Sequence, residues 1–112
     1  MLAMQSFGKP RILIIGCGDI GLRVAKQLVK SCRIYALTSQ KTRFQELRAV
    51  GAMPILGDLD KPDSLWRLSG LAETVIHLAP PQNTGHRDCR TRNLLRILAQ
   101  CPNTVSRLIY VS

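Results

Sequence analysis

Five short apolar runs alternate with amphipathic segments along this chain. Ile12–Ile15 is a continuous β-branched and leucine run, which predicts a strand buried on both faces. Asp19 to Lys30 follows, with Ile20, Val24, Ala25, Leu28 and Val29 on one helical face and Lys26 and Lys30 on the other. Arg33–Thr38 predicts a second strand. A second helix opens at Lys41 or Thr42 and runs to about Val50, with Gly51 as its stop. Met53–Leu56 predicts strand three. Pro62 suits the first position of a helix that runs to about Leu68, with Asp60 and Asp63 near its N-terminus and Gly70 ending it. Glu73–Leu78 predicts strand four, broken by Ala79-Pro80-Pro81. Asp88 to Gln100 predicts a fourth helix with Leu94, Leu95, Ile97 and Leu98 inward, stopped by Pro102. Leu108–Val111 predicts strand five.

Strands alternating with helices make βαβ units and a parallel sheet. The glycines after strand one make the assignment more specific. Gly16-Cys17-Gly18-Asp19-Ile20-Gly21 is a G-x-G-x-x-G turn between a strand and a helix, the dinucleotide-binding fingerprint in its required setting. Gly16 allows the tight turn out of the strand. Gly18, lacking a Cβ, lets the backbone approach a pyrophosphate. Gly21 lets the helix pack closely on the strand. The anion then sits at the positive end of the helix dipole. With right-handed crossovers this predicts a Rossmann-type α/β fold: a doubly wound parallel sheet, strand order 3-2-1-4-5, helices on both faces.

Ligands of such sheets lie at the carboxyl ends of the strands. Beyond the glycine turn, three clusters reach that edge. The end of strand two reads Thr38-Ser39-Gln40-Lys41-Thr42-Arg43 and holds no carboxylate to grip a ribose 2′-OH. Hydroxyls from Thr38 and Ser39 with Arg43, and Lys41 as a second candidate cation, suit a 2′-phosphate, which favours NADP over NAD; the competing reading is a solvated basic turn. Asp58 and Leu59 after strand three suit an adenine amino group, and Asp58 suits a helix cap equally. Leu78, Ala79 and Pro80 let the backbone pass close to a nicotinamide ribose, or form a plain Pro turn. Residues 1–10 read as a flexible lead-in and 11–112 as one NAD(P)-binding domain.

Composition narrows the alternatives. Hydrophobic residues make up 46% of the 112, enough for a core, and no apolar run approaches the roughly 20 residues of a membrane span. The net charge is +9, yet aromatics are 4% and no basic stripe interleaves with them, so an anionic cofactor fits the surplus better than nucleic acid. Cys17, Cys32, Cys89 and Cys101 form no C-x-x-C pair and are not spaced with His77 or His86 for a metal. Reduced thiols suit a cytoplasmic protein. His77, among Val75, Ile76 and Leu78, reads as a packed core histidine. No Ser/His/Asp set or carboxylate pair can be assembled from the spacing, so no catalytic residue is assigned.

Taken together, Ile14–Gly21, Leu56-Gly57-Asp58-Leu59, Val75–Pro81, Thr91-Arg92-Asn93-Leu94-Leu95 and Arg107–Ser112 resemble the extended short-chain dehydrogenase/reductase family. The resemblance is closest to its atypical members of the nucleoside-diphosphate-sugar epimerase type. It implies an NAD(P)-dependent epimerase, dehydratase or reductase acting on a nucleotide-sugar-like substrate. Two departures qualify it. The glycine spacing differs from the usual G-x-x-G-x-x-G, and the family's Tyr-x-x-x-Lys motif is absent, since Tyr110 has no Lys four residues on. The resemblance therefore implies the N-terminal, cofactor-binding part of a longer enzyme, binding cofactor without catalysis. Self-association is expected through helix 88–100 or through strand 108–111 as an open edge. The chain is also similar to the nucleotide-sensing domains attached to potassium transporters, which share the glycine turn and a Gly-Asp like Gly57-Asp58. These usually carry an acid after strand two, which this chain lacks.

Overall fold

The computed structural model describes residues 9–16, 18–78, 89–100 and 105–110. The apolar runs become strands β1 (Arg11–Ile15), β2 (Arg33–Thr38), β3 (Met53–Leu56), β4 (Thr74–His77) and β5 (Arg107–Tyr110). All pair in parallel, in the order β3-β2-β1-β4-β5. The register sets Ile15 beside Leu37 on one side and His77 on the other, and Thr38 beside Leu56. The carboxyl ends of β1, β2 and β3 therefore finish together.

Strand alternation sends successive side chains to opposite faces. Leu13, Ile15, Leu37 and Val75 pack with Leu65, Leu68, Leu94 and Ile97. Ile12, Ile14, Ile34 and Ala36 pack with Ala25 and Leu47. The first set faces the 3-10 helix Pro62–Leu68 and α3 (Cys89–Leu98); the second faces α1 (Asp19–Leu28) and α2 (Phe44–Ala49). The centre of the sheet is thus covered on both sides. That is why its strands read as unbroken apolar runs instead of alternating ones.

Element ends shift by a residue or two from the sequence expectation. The second helix is split: a 3-10 turn at Lys41–Arg43 leads into α2. Gly51 ends α2 at φ 92°, with Ala52 N–H returned to Leu47 O at 3.0 Å. Pro62–Leu68 forms where the helix was expected but closes with i→i+3 bonds, as a 3-10 helix. The fourth strand starts at Thr74, one residue after Glu73, whose carboxylate is bonded to Arg11. Asp88 and Val111 lie outside the described residues.

Two inward assignments are corrected. Ile20 is exposed, because the face of α1 that meets the sheet is the Gly21–Ala25 seam and Ile20 stands one residue off it. Leu95 is exposed for the same reason: Leu94, Ile97 and Leu98 form the buried seam of α3. No helix among the described residues is long and apolar enough to cross a membrane.

Candidate functional site

At the carboxyl ends of β1, β2 and β3 lies a small cavity of about 160 Å³, lined by Ile15, Gly16, Leu37, Thr38, Ser39, Gly57, Asp58 and Leu59. Its first wall is the glycine turn. Gly16 has φ 81°, a left-handed conformation that a side chain resists. Gly18 N–H bonds back to Gly16 O at 2.9 Å, and Gly18 O accepts the Leu22 N–H at 2.9 Å, starting α1. Gly18 has φ −84°, and a Cβ built there would meet nothing within 4 Å. Neither its torsion nor its packing requires glycine. The free space next to its backbone, at the N-terminus of α1, is where a phosphate would lie. Asp19 and Ile20 are exposed in the first turn and Gly21 is buried. None of these three lines the cavity. Cys17 lies outside the described residues.

The second wall is the end of β2. Thr38 is 9% exposed, and its Oγ1 accepts the Gln40 N–H at 3.1 Å, so its hydroxyl braces its own turn. Ser39 is exposed at the cavity rim. Arg43 stands elsewhere: its Nε donates to Glu46 Oε1 at 3.0 Å, and its Nη2 pairs with the same oxygen. The cation expected to meet a 2′-phosphate is thus already matched by an acid.

The third wall follows β3. Gly57 N–H donates to Thr38 O at 2.9 Å, and a Cβ at Gly57 would fall 2.8 Å from Leu37 Cδ1 and 3.1 Å from Ser64 O. A side chain here would press on the tip of Leu37 and on the backbone of the 3-10 helix Pro62–Leu68, which favours glycine. Asp58 does not cap the following helix, whose N-cap is Lys61 with no side-chain cap bond. The Asp58 Oδ1 accepts the Asp60 N–H at 2.9 Å, holding the loop, while the residue also lines the cavity. Ser64 Oγ accepts the Asp58 N–H at 2.8 Å and donates to Lys61 O at 2.7 Å. Asn93 Nδ2 donates to Leu59 O at 2.6 Å, so α3 fixes the same loop from behind.

Across the switch point, Leu78 N–H donates to Ile15 O at 2.8 Å, bringing Leu78 beside the end of β1 but not into the cavity lining. Ala79 and Pro80 lie outside the described residues. His77 is 1% exposed, with Nε2 and Thr91 Oγ1 hydrogen-bonded at 2.9 Å, a bond that joins β4 to α3.

A second space adjoins the first. A groove of about 360 Å³ is lined by Ser39, Leu56, Gly57, Asp58, Lys61, Ser64, Trp66 and Arg67. It shares Ser39, Gly57 and Asp58 with the cavity. Lys61, Trp66 and Arg67 carry no motif. Their one sequence signal was a large aromatic beside an arginine in a short polar segment.

The model of the TrkA-N domain family matches residues 12–84, from β1 past the end of β4. The chain belongs to the TrkA-N domain family. TrkA-N domains are Rossmann nucleotide-binding units that take a dinucleotide. No curated protein matches this chain. Among solved structures, this TrkA-N domain is similar to the NADPH-dependent quinone oxidoreductase QOR2 of Escherichia coli complexed with NADPH. The identity is 24%, the match covers 90% of this chain and 36% of that one, and the TM-score is 0.74. The anaerobilin reductase ChuY of Escherichia coli O157:H7 matches at 16% identity, over 91% of this chain and 50% of that one, with TM-score 0.69. Saccharopine dehydrogenase of Saccharomyces cerevisiae matches at 15% identity, over 92% and 22%, with TM-score 0.71. The likeness is one of fold. The TrkA-N chain spans half or less of the length of each of these proteins.

Proposed function

We propose that this TrkA-N domain binds NADP in preference to NAD across the carboxyl ends of β1, β2 and β3. The observation that carries this reading is Gly18: a glycine that neither backbone torsion nor packing explains, facing open space at a helix N-terminus. Gly16, Thr38, Ser39, Asp58 and Leu59 line the adjoining cavity. In the proposed complex Gly16, Cys17, Gly18, Asp19, Ile20 and Gly21 surround the pyrophosphate. Asp58 and Leu59 meet the adenine, and Leu78, Ala79 and Pro80 run beside the nicotinamide ribose. No carboxylate occurs from Thr38 to Arg43 to select the 2′-OH of NAD.

The wider role we propose is the coenzyme-binding part of an NAD(P)-dependent reductase, epimerase or dehydratase acting on a nucleotide-sugar-like substrate. The support is the resemblance in Leu56–Leu59, Val75–Pro81 and Thr91–Leu95, together with solved neighbours whose names are those of reductases and dehydrogenases. Bound NADP would supply hydride chemistry. This chain's own residues bind and orient it.

Calorimetric titration with NADPH and NADH tests the binding. NADPH should bind more tightly than NADH, and Gly18→Val should abolish both while far-UV circular dichroism stays unchanged. Equal binding by Gly18→Val would sink the site. A second reading, a regulatory nucleotide-binding module, is favoured by the TrkA-N match over residues 12–84. The mass of the native polypeptide separates the two: 12.5 kDa supports the module, and a species about two to three times larger supports the enzyme part.

A further inference from the structure

We propose that Lys61 and Arg67, and not Arg43, hold the 2′-phosphate of NADP, in the groove beside the cavity. The proposal rests on the dinucleotide reading above and names the residues that select the cofactor. A cavity of about 160 Å³ is too small for a dinucleotide, since ligand pockets usually reach about 300 Å³ or more. With the adenine at Asp58 and Leu59, the 2′-phosphate on its ribose needs the space beyond. The groove of about 360 Å³ shares Ser39, Gly57 and Asp58 with the cavity and lies past the end of β3, beside the 3-10 helix Pro62–Leu68.

The charges in the groove suit a phosphate. Lys61 and Arg67 both line it, against the one carboxylate of Asp58, whose Oδ1 is already taken by Asp60 N–H. Arg67 lies over the Trp66 ring, 5.3 Å from its centroid. The ring attracts the Arg67 cation, and a planar guanidinium carries N–H donors suited to bidentate contact with phosphate. Trp66 is 66% exposed, a large aromatic held in water beside the groove instead of in the core. It braces Arg67 and offers a ring edge to an incoming base. Ser39, at the shared rim, adds a hydroxyl next to the ribose position. Arg43, in contrast, is matched by Glu46 and lines neither space.

The chain holds a single tryptophan, so its fluorescence reads the groove directly. The probes are AMP and adenosine 2′,5′-bisphosphate, which differ only by the 2′-phosphate. The unaltered chain should bind the bisphosphate at least about tenfold more tightly than AMP, as expected for charge-assisted bonds to a phosphate. Lys61→Ala and Arg67→Ala should each erode that preference and together remove it, leaving AMP binding within about twofold. Arg67→Lys, which keeps the charge and loses the planar fork, should fall between. Arg43→Ala should keep the full preference. A preference that survives the double variant, or one lost in Arg43→Ala, overturns the proposal. Equal affinity of the unaltered chain for the two probes also overturns it and leaves the dinucleotide reading standing. Failure to bind either probe, NADPH or NADH overturns both.

Discussion

Glu73 grips Arg11 at two points: Oε2 accepts the Arg11 backbone N–H at 2.9 Å, and Oε1 accepts its Nε–H at 3.0 Å. The Glu73 carbonyl meanwhile takes the Ser106 N–H at 2.8 Å. One residue thus ties the starts of β1, β4 and β5, at the edge of the sheet opposite the cavity. The switch between β1 and β4, on which the ligand edge depends, is pinned from below.

This clamp predicts an acid-sensitive contribution to stability. The Arg11 backbone N–H, then its guanidinium, hold the Glu73 carboxyl below its ordinary value of 4.5, with desolvation opposing. A depressed native value means that the native state binds fewer protons than the unfolded chain in the acid range. The stabilisation is complete above pH 4.5 and fades as pH falls through the native value. Both side chains are about 40% exposed, so screening limits the effect to roughly 0.5–1 kcal/mol. Urea unfolding of Glu73→Gln should show that deficit at neutral pH and a shrinking one as the pH falls below 4.5. A deficit independent of pH would refute the electrostatic account.

Gly16 and Gly18 should separate stability from binding. Gly16→Ala forces a side chain to φ 81° and should cost roughly 1–2 kcal/mol. Gly18→Ser places a good N-cap at the start of α1 and should change stability by only a few tenths of a kcal/mol. Both should weaken NADPH binding, the second by filling the space beside the phosphate. Thermal melts paired with titrations check this. Full NADPH affinity in Gly18→Ser would mean that the open space is not a ligand site.

Gly57→Ala should be destabilising by roughly 1–3 kcal/mol, because its Cβ would press on Leu37 Cδ1 and on the Ser64 carbonyl. Leu37 Cδ1 can move aside; the Ser64 carbonyl is backbone. Adding Leu37→Val should recover part of the loss in a double-mutant cycle. Strict additivity in denaturant midpoints would show that the contact is not the cause.

Leu108 and Ile109 are 41% and 39% exposed on β5, the last strand in the sheet order. An apolar open edge is a template for pairing with a second copy. Light scattering should find self-association that rises with concentration, and Ile109→Lys should reduce it. A monodisperse monomer at high concentration would rule the edge out.

The sheet and its order were legible because burial on both faces leaves continuous apolar runs, and the glycine turn marks β1 as the switch strand. Gly16 and Gly57 were legible as glycines, but their reasons differ: one needs a left-handed torsion, the other has Leu37 against it. Arg43 has a partner that the sequence reading did not take into account: Glu46 stands three residues on, within helical reach. Ile20 and Leu95 show the limit of periodicity. It finds an apolar face but not how wide a strip of that face the sheet covers.

By itself, the order of residues determined the five strands, their sequence in the sheet, and a carboxyl edge bearing glycines and hydroxyls. These follow from local spacing and from the hand of the crossovers. Tertiary structure alone decided that Lys61, Trp66 and Arg67 share a groove with Ser39, that Asn93 holds the loop after β3, and that Glu73 ties the strand starts at the opposite edge of the sheet. Such partners lie more than 20 residues apart, and packing in three dimensions, with no periodic signal in the chain, brings them together.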